Sequence, residues 1–135
     1  MSALTLQQAQ RLAQDLTAKA LSDYQRPVCA AVCDATGLLL AFARMDGSPV
    51  RSIAIAQGKA YSAARMGVRT QAFRERLQRE ALEVASFCDP LLTPLPGGTP
   101  LIDAAGHVIG AVGVSGLAIE EDQQVSDAIA KTFAT

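Results

Sequence analysis

The stretch from Pro94 to Gly116 constrains the fold most strongly, because it places glycines in an apolar strand. Gly110, Gly113 and Gly116 lie within or at the end of a run of small residues that leads directly into the final helix. Glycine inside a strand costs roughly 0.5–1 kcal/mol relative to alanine, so we expect a compensating interaction there. Close approach of another backbone or of a ligand is the usual compensation.

The periodicity of the remaining sequence predicts an α+β fold. Thr5 and Gln8 form a capping box that starts a first helix, which reaches about Ser22. Two hairpins and three further helices follow, with the hairpin strands at 28–33, 38–44, 99–103 and 107–115 and the helices at 50–66, 70–84 and 122–133. We therefore expect one domain over residues 1–135, with an antiparallel sheet of about five strands covered by helices on one face.

Charge and terminal sequence limit the kinds of partner. The 135 residues carry a formal net charge of −1, which leaves no basic surface for nucleic acid. The first residues contain neither a basic segment nor a long apolar run, so we predict no signal peptide and no membrane partner. Cys29, Cys33 and Cys88 form an odd set without a Cys-x-x-Cys motif, which favours a reducing, cytoplasmic location and predicts no metal site.

Arg44, Asp46 and Lys59 form the best candidate polar cluster. An inward-facing lysine in a helix of small residues can hold an anion, or act as a base if burial lowers its pKa. The simpler alternative is that Asp46 caps the helix and Lys59 reaches solvent or pairs with Asp46. Backbone N–H groups could complete the pocket from a second wall formed by Gly97, Gly98 and Ser115. Tight packing of glycine against a helix is the alternative for that wall.

Three sequence blocks together resemble one protein family. They are Ala31–Gly37, Arg44–Pro49 with Lys59–Ala63, and Pro96–Pro100 with Ile109–Gly116. In this order and spacing they resemble the GlcG/HbpS family of haem-degrading and haem-binding proteins, which includes the carboxy-terminal domain of PduO-type proteins. The resemblance implies a profilin-like or PAS-like α/β/α sandwich that assembles into dimers up to octamers. Some members of the family bind haem or a related tetrapyrrole.

Two departures from the family pattern concern the last helix and the single histidine. The residues from Gly116 to Glu120 lack the Thr-Pro often present before the last helix, so an N-cap hydroxyl is missing. His107 lies beside a predicted hairpin turn, where a turn role is more usual than ligation. Haem is therefore compatible with the family resemblance, but ligation of its iron by histidine is not supported.

Three functional hypotheses follow from these residues and from the resemblance. The first is an oligomeric protein that binds a haem-like tetrapyrrole or a small carboxylate between the Arg44–Lys59 and Gly97–Ser115 segments. The second is an isomerase or lyase acting on an oxoacid or hydroxyacid, with Lys59 as base or anion clamp and Asp46 as proton carrier. The third is a structural subunit whose glycine-rich strand packs at an interface and binds nothing.

Overall fold

The computed structural model describes residues 3–133 and has the α+β class expected from the sequence. Its elements are α1 (Leu6–Tyr24), β1 (Cys29–Asp34), β2 (Leu39–Arg44), α2 (Ser52–Met66), α3 (Thr70–Glu80), a 3₁₀ helix (Val84–Phe87), β3 (Gly98–Ile102), β4 (Val108–Ser115) and α4 (Ile119–Phe133). The antiparallel sheet has the strand order β2-β1-β4-β3. It has four strands instead of about five, because the proline-rich segment before β3 is a loop and proline donates no ladder hydrogen bond.

Helices cover both faces of the sheet, so the expectation of a single covered face was wrong. α1 and α4 pack on the face that carries Ala30, Val32, Val112 and Val114. α2 packs on the opposite face, which carries Cys29, Ala31, Cys33 and Ala111. Successive side chains of a strand point to opposite faces, and the first five residues of β1 are all buried. Such a strand needs cover on both sides, which gives the α/β/α sandwich implied by the family resemblance.

The glycines of β3 and β4 let the backbone of α2 approach the sheet closely. A Cβ atom on Gly98 would collide with the carbonyl oxygen of Lys59, and one on Gly113 would collide with the carbonyl oxygen of Ala56. The residues that α2 buries are mostly small as well, including Ala56, Ala60 and Ala63. Close helix-to-sheet contact therefore compensates for glycine in these strands.

The start of α1 and the end of α2 agree with the sequence prediction, whereas α2 begins at Ser52, two residues later than predicted. Thr5 and Gln8 form the reciprocal capping box at the start of α1, which extends two residues beyond Ser22. Gly67 ends α2 in the left-handed conformation with φ 69°. Among residues 3–133, no helix is both long and apolar enough to cross a membrane.

The bounds of α3 and α4 differ from the prediction. α3 ends at Glu80 instead of Val84, because Ala81 adopts the left-handed conformation and its N–H bonds back to the last turn. α3 begins at Thr70, as predicted. α4 begins at Ile119, three residues before the predicted start.

Two carboxylates from the first turn of α4 accept hydrogen bonds from the backbone just before the helix, where no N-cap hydroxyl is present. Asp122 accepts a hydrogen bond from the Leu117 N–H at 3.0 Å, and Glu121 accepts one from the Ala118 N–H at 3.1 Å. These bonds satisfy N–H groups that a helix start otherwise leaves unpaired. Acidic residues also interact favourably with the positive end of the helix dipole.

Candidate functional site

Lys59 and Asp122 form a buried ion pair that joins helices on opposite faces of the sheet. Their side chains are only 1% and 2% exposed, and the Lys59 Nζ lies 2.9 Å from the Asp122 Oδ2. The same Nζ donates to the Val114 carbonyl oxygen at 2.8 Å. The ammonium group also lies close to Gly97, where a Cβ would stand only 2.7 Å from the Nζ. Glycine at this position therefore leaves the space that the lysine side chain occupies.

Burial disfavours the charged form of both partners. It lowers the pKa of Lys59, and the negative charge of Asp122 opposes that effect. Burial likewise raises the pKa of Asp122, while the charge and hydrogen bond of Lys59 act in the opposite direction. Each group thus depends on the other to remain charged inside the protein, which makes the pair part of the structural framework.

The structure divides the six predicted site residues into two groups. Lys59, Gly97, Gly98 and Ser115 are all buried where α2 meets the ends of β3 and β4. The Ser115 hydroxyl bonds to the Ser52 hydroxyl at 3.1 Å, again linking the sheet to α2. Arg44 and Asp46, in contrast, are exposed, and the carboxylate that pairs with Lys59 belongs to Asp122 instead of Asp46. The alternative that Lys59 reaches solvent or pairs with Asp46 was therefore wrong, because the Lys59 ammonium group is buried and bonds to Val114 and Asp122.

Gln123 extends the buried polar contacts next to the ion pair. Its Oε1 accepts from the Gly97 N–H at 2.7 Å, and its Nε2 donates to the Gly98 carbonyl oxygen at 3.0 Å. Thr70 completes this connection by accepting from the Gly98 N–H at 2.9 Å. The polar groups around the glycine pair are consequently engaged by protein atoms.

Sequence reasoning missed Asp122 and Gln123 as partners of the glycine pair. It considered only Asp46 as an acidic partner of Lys59, although a lysine predicted to face inward requires an acidic partner. That requirement was the available signal, because buried charges are normally paired. For Gln123 we find no comparable signal in the sequence.

His107 occupies the turn position that its sequence context favoured. Its Nδ1 lies 3.5 Å from the Asp103 Oδ2, and the imidazole is largely exposed. The Asp103 carboxylate also accepts hydrogen bonds from the Ala105 and His107 N–H groups, which closes the turn between β3 and β4. This histidine therefore belongs to the hairpin.

A separate apolar cavity of about 550 Å³ lies between β2, α2 and the loop Pro90–Thr93. Its volume is within the range of roughly 300–1,000 Å³ that is usual for small-molecule sites. None of the six predicted site residues lines it. The lining residues are Cys33, Gly37, Leu38, Leu39, Ala54, Ile55, Gln57, Gly58, Ala60, Tyr61, Pro90, Leu91, Leu92 and Thr93.

Tyr61 connects this cavity to the loop that borders it. Its hydroxyl donates to the Asp89 Oδ2 at 2.7 Å, while the Arg65 Cζ lies over the ring at 5.0 Å from its centroid. The hydrogen bond raises the pKa of Tyr61 and lowers that of Asp89. A second bond, from the Thr93 N–H to the Ser62 hydroxyl at 2.8 Å, fixes the other end of the loop to α2.

Cys33 contributes a protonated thiol to the cavity. Burial raises the pKa of this thiol to about 12, and its Sγ donates to the Ala60 carbonyl oxygen at 3.4 Å. All three cysteines of the chain are free. Within residues 3–133, no three His, Cys, Asp or Glu side chains lie together as a metal-binding group.

The comparisons with known proteins agree on the family and the fold. The family model described as haem degrading protein HbpS-like matches residues 4–131. An uncharacterised 15.0 kDa protein in the dhaT–dhaS intergenic region of Citrobacter freundii is 34% identical over 98% of this chain and 94% of its own length. A crystal structure of a double mutant of Streptomyces reticuli HbpS has a TM-score of 0.89 at 29% identity, covering 100% of this chain and 90% of the other.

A haem complex is also among the similar structures. The crystal structure of the PduOC:haem complex has a TM-score of 0.85 at 24% identity. The similarity covers 96% of this chain and 94% of the other. At this identity, the comparison establishes a shared fold.

Proposed function

Because the chain belongs to the HbpS-like family, we propose that it binds a haem-like tetrapyrrole in the apolar cavity between β2, α2 and the loop Pro90–Thr93. The observation that carries this proposal is the cavity itself, with a volume of about 550 Å³ and a lining dominated by leucine, isoleucine and alanine. Burial of apolar surface supplies most of the driving force when a ligand of this kind leaves water.

The residues around the cavity fit the two chemical parts of such a ligand. The macrocycle is a largely apolar disc, which suits Leu39, Ile55 and Leu91. Its carboxylate edge requires cations, and α2 offers Arg51 and Arg65, both exposed. Arg51 precedes Ile55 by one helical turn, and Arg65 follows Tyr61 by one turn, so each stands next to a lining residue. A bound haem would supply an iron atom that accepts an axial ligand.

This proposal assigns a structural role to the buried members of the predicted site. Lys59, Gly97, Gly98 and Ser115 are occupied by the contacts that hold α2 and α4 to the sheet. A small carboxylate is a weaker candidate ligand, because no charged side chain lines the apolar cavity. The comparisons support a tetrapyrrole, since the matching family is described as haem degrading and one similar structure is a haem complex.

Self-association is a second part of the proposal. β2 forms an edge of the sheet, so one side of this strand has no neighbour in the described chain. Leu38 and Leu39, at its start, are 65% and 49% exposed. Exposed apolar edges of this kind favour pairing between copies. The three free cysteines support the cytoplasmic location that we also propose.

The proposal is tested by titrating the wild-type protein with ferric haem and following the Soret absorbance. Leu91 lines the cavity and is 61% exposed, so a Leu91→Ser variant removes apolar contact with the ligand while sparing the core. We expect about tenfold weaker binding, equivalent to about 1.4 kcal/mol. Leu21→Ser is the matched control, because Leu21 is 56% exposed on α1, on the other face of the sheet. Equal affinities of the two variants would contradict the proposed location.

A further inference from the structure

We propose that the phenol oxygen of Tyr61 is the axial ligand of the iron in the bound tetrapyrrole. This inference rests on the proposed function, because it requires a haem-like ligand in the apolar cavity. It goes further by assigning the coordinating atom, for which sequence reasoning provided no preferred residue.

Few of the cavity residues carry an atom that binds ferric iron strongly. The lining is mostly hydrocarbon, and the strong candidates are the Cys33 thiol and the Tyr61 phenol. Tyrosine, cysteine and histidine all serve as axial ligands in haem proteins. His107 lies at the turn between β3 and β4 and does not line the cavity. The choice within the cavity is therefore between a thiol and a phenol.

The Cys33 thiol is poorly suited to coordination. The ligating form of cysteine is the thiolate, and burial in apolar surroundings opposes its formation. Cys33 is 1% exposed, and its Sγ is already engaged with the Ala60 carbonyl oxygen. To bind iron, it would have to lose both its proton and this hydrogen bond inside the core. The Tyr61 phenol must also release its proton and its hydrogen bond to Asp89, but that hydrogen bond, and not burial, is the main cause that raises the pKa of Tyr61, and Asp89 is partly exposed.

Three neighbours hold the Tyr61 side chain in place at the cavity. Gly37 packs directly against the ring, since a Cβ on Gly37 would stand only 2.7 Å from the Tyr61 Cδ2. The hydrogen bond to Asp89 raises the pKa of the phenol, and the positive charge of Arg65, which lies over the ring, partly opposes that effect. The Asp89 carboxylate accepts the phenol hydrogen bond. In metal sites, residues that contact a ligating side chain without touching the metal orient that side chain and tune its basicity.

Coordination by Tyr61 involves no oxidation or reduction. The phenol O–H bond breaks, its proton passes to solvent, and the oxygen donates an electron pair to ferric iron. The phenolate charge offsets positive charge on the ferric centre, while Arg65 remains beside the ring. Asp89 accepts the phenol hydrogen bond in the free protein and loses it on coordination, so Asp89 orients the ring before iron binds and is not itself a ligand.

Ferric haem added to the Tyr61→Phe variant tests the assignment. Phenylalanine keeps the ring that packs against Gly37 and removes only the oxygen. We expect the wild-type complex to show a phenolate-to-iron charge-transfer band and a high-spin ferric signal in electron paramagnetic resonance. The charge-transfer band should disappear in Tyr61→Phe, with haem dissociation at least about tenfold faster. Tyr24→Phe is the matched control, because the chain has two tyrosines and the Tyr24 hydroxyl bonds to Gln124.

Further variants separate the outcomes. Cys33→Ala and His107→Asn should leave the charge-transfer band unchanged, and loss of the band in either variant would overturn the assignment. Asp89→Asn retains the phenol but alters its partner, so the band should shift and provide a second test if Tyr61→Phe folds poorly. Haem bound by Tyr61→Phe with the wild-type spectrum would refute the Tyr61 assignment alone. Failure of the wild-type protein to bind haem would refute the proposed function, and the assignment with it.

Discussion

Two parts of α2 lie in contrasting environments, one closed and charged and the other open and apolar. At its centre, Lys59 enters a closed polar cluster with Asp122, in which both side chains are at most 2% exposed. The residues of α2 that face β2 and the loop Pro90–Thr93 line an apolar cavity instead. The cluster contains charge without open space, whereas the cavity contains space with almost no charge.

This difference shows why a buried charged residue is an incomplete indicator of function. Lys59 has the lowered pKa and the burial expected of a catalytic lysine, yet its ammonium group is bonded to Val114 and Asp122. Structural ion pairs shift pKa values just as active sites do. The space that could hold a ligand is the apolar cavity next to Tyr61.

The largest effect should follow from breaking the ion pair. Lys59→Met leaves the Asp122 carboxylate buried without its counter-charge, so we expect a loss of about 3–5 kcal/mol in the free energy of unfolding. Urea denaturation followed by circular dichroism measures this loss.

A double variant distinguishes loss of the charge pair from loss of lysine packing. Adding Asp122→Asn to Lys59→Met removes the unpaired charge and keeps an oxygen that can accept from the Leu117 N–H. The double variant should recover most of the lost stability. Wild-type stability in Lys59→Met, combined with loss of haem binding, would instead assign Lys59 to the ligand site.

A smaller effect on the free energy of unfolding should distinguish Gly98, which packs against α2, from Gly58, which lies within α2. Gly98→Ala places a Cβ against the Lys59 carbonyl oxygen, and overpacking of this kind costs about 1–3 kcal/mol. Gly58→Ala lies within α2, where its Cβ would stand 3.4 Å from the Thr93 Cγ2. Alanine is favoured over glycine in a helix by about 1 kcal/mol, so Gly58→Ala should be at least as stable as wild type.

Gly58→Ala should also affect the haem affinity of the protein. The added methyl group of Gly58→Ala narrows the cavity, so its haem affinity should fall although its stability does not. Parallel urea and Soret titrations measure the two quantities. Equal stability losses in Gly98→Ala and Gly58→Ala would contradict the contrast between the closed cluster and the open cavity.

The smallest effect concerns the thiols. Cys33 has a pKa of about 12, and burial also raises the pKa of Cys29, so neither forms much thiolate at pH 8. Cys88 is exposed. We expect a disulfide reagent to modify Cys88 rapidly, and Cys29 and Cys33 only after unfolding. Rapid modification of Cys33 in the native protein would show that the cavity thiol is available to coordinate iron.

The sequence predicted the fold well where the signals were local. The capping box at Thr5 and the end of α2 at Met66 depend on nearby residues, and both were predicted correctly. The left-handed Ala81 that ends α3 was missed, because alanine rarely adopts this conformation and gives no local signal. The family resemblance, in contrast to the hydrophobic pattern alone, correctly implied helices on both faces of the sheet.

The site was less predictable because its contacts join distant parts of the chain. Lys59 and Asp122 are 63 residues apart, and Tyr61 and Asp89 are 28 apart. The sequence marked Lys59 and the glycines as unusual, but their partners become evident only in the folded chain. The cavity is formed where β2, α2 and a loop meet in the folded chain. The spacing of residues along the sequence does not reveal how these three segments are arranged.

The most direct test of the central claim is the position of iron in a crystal of the protein grown with ferric haem. Anomalous scattering at the iron absorption edge locates the metal independently of the fitted ligand. The account predicts one peak in the cavity between β2, α2 and the loop Pro90–Thr93, within bonding distance of the Tyr61 phenol oxygen. A peak beside Lys59 and Gly97, or on a surface remote from the cavity, would contradict it.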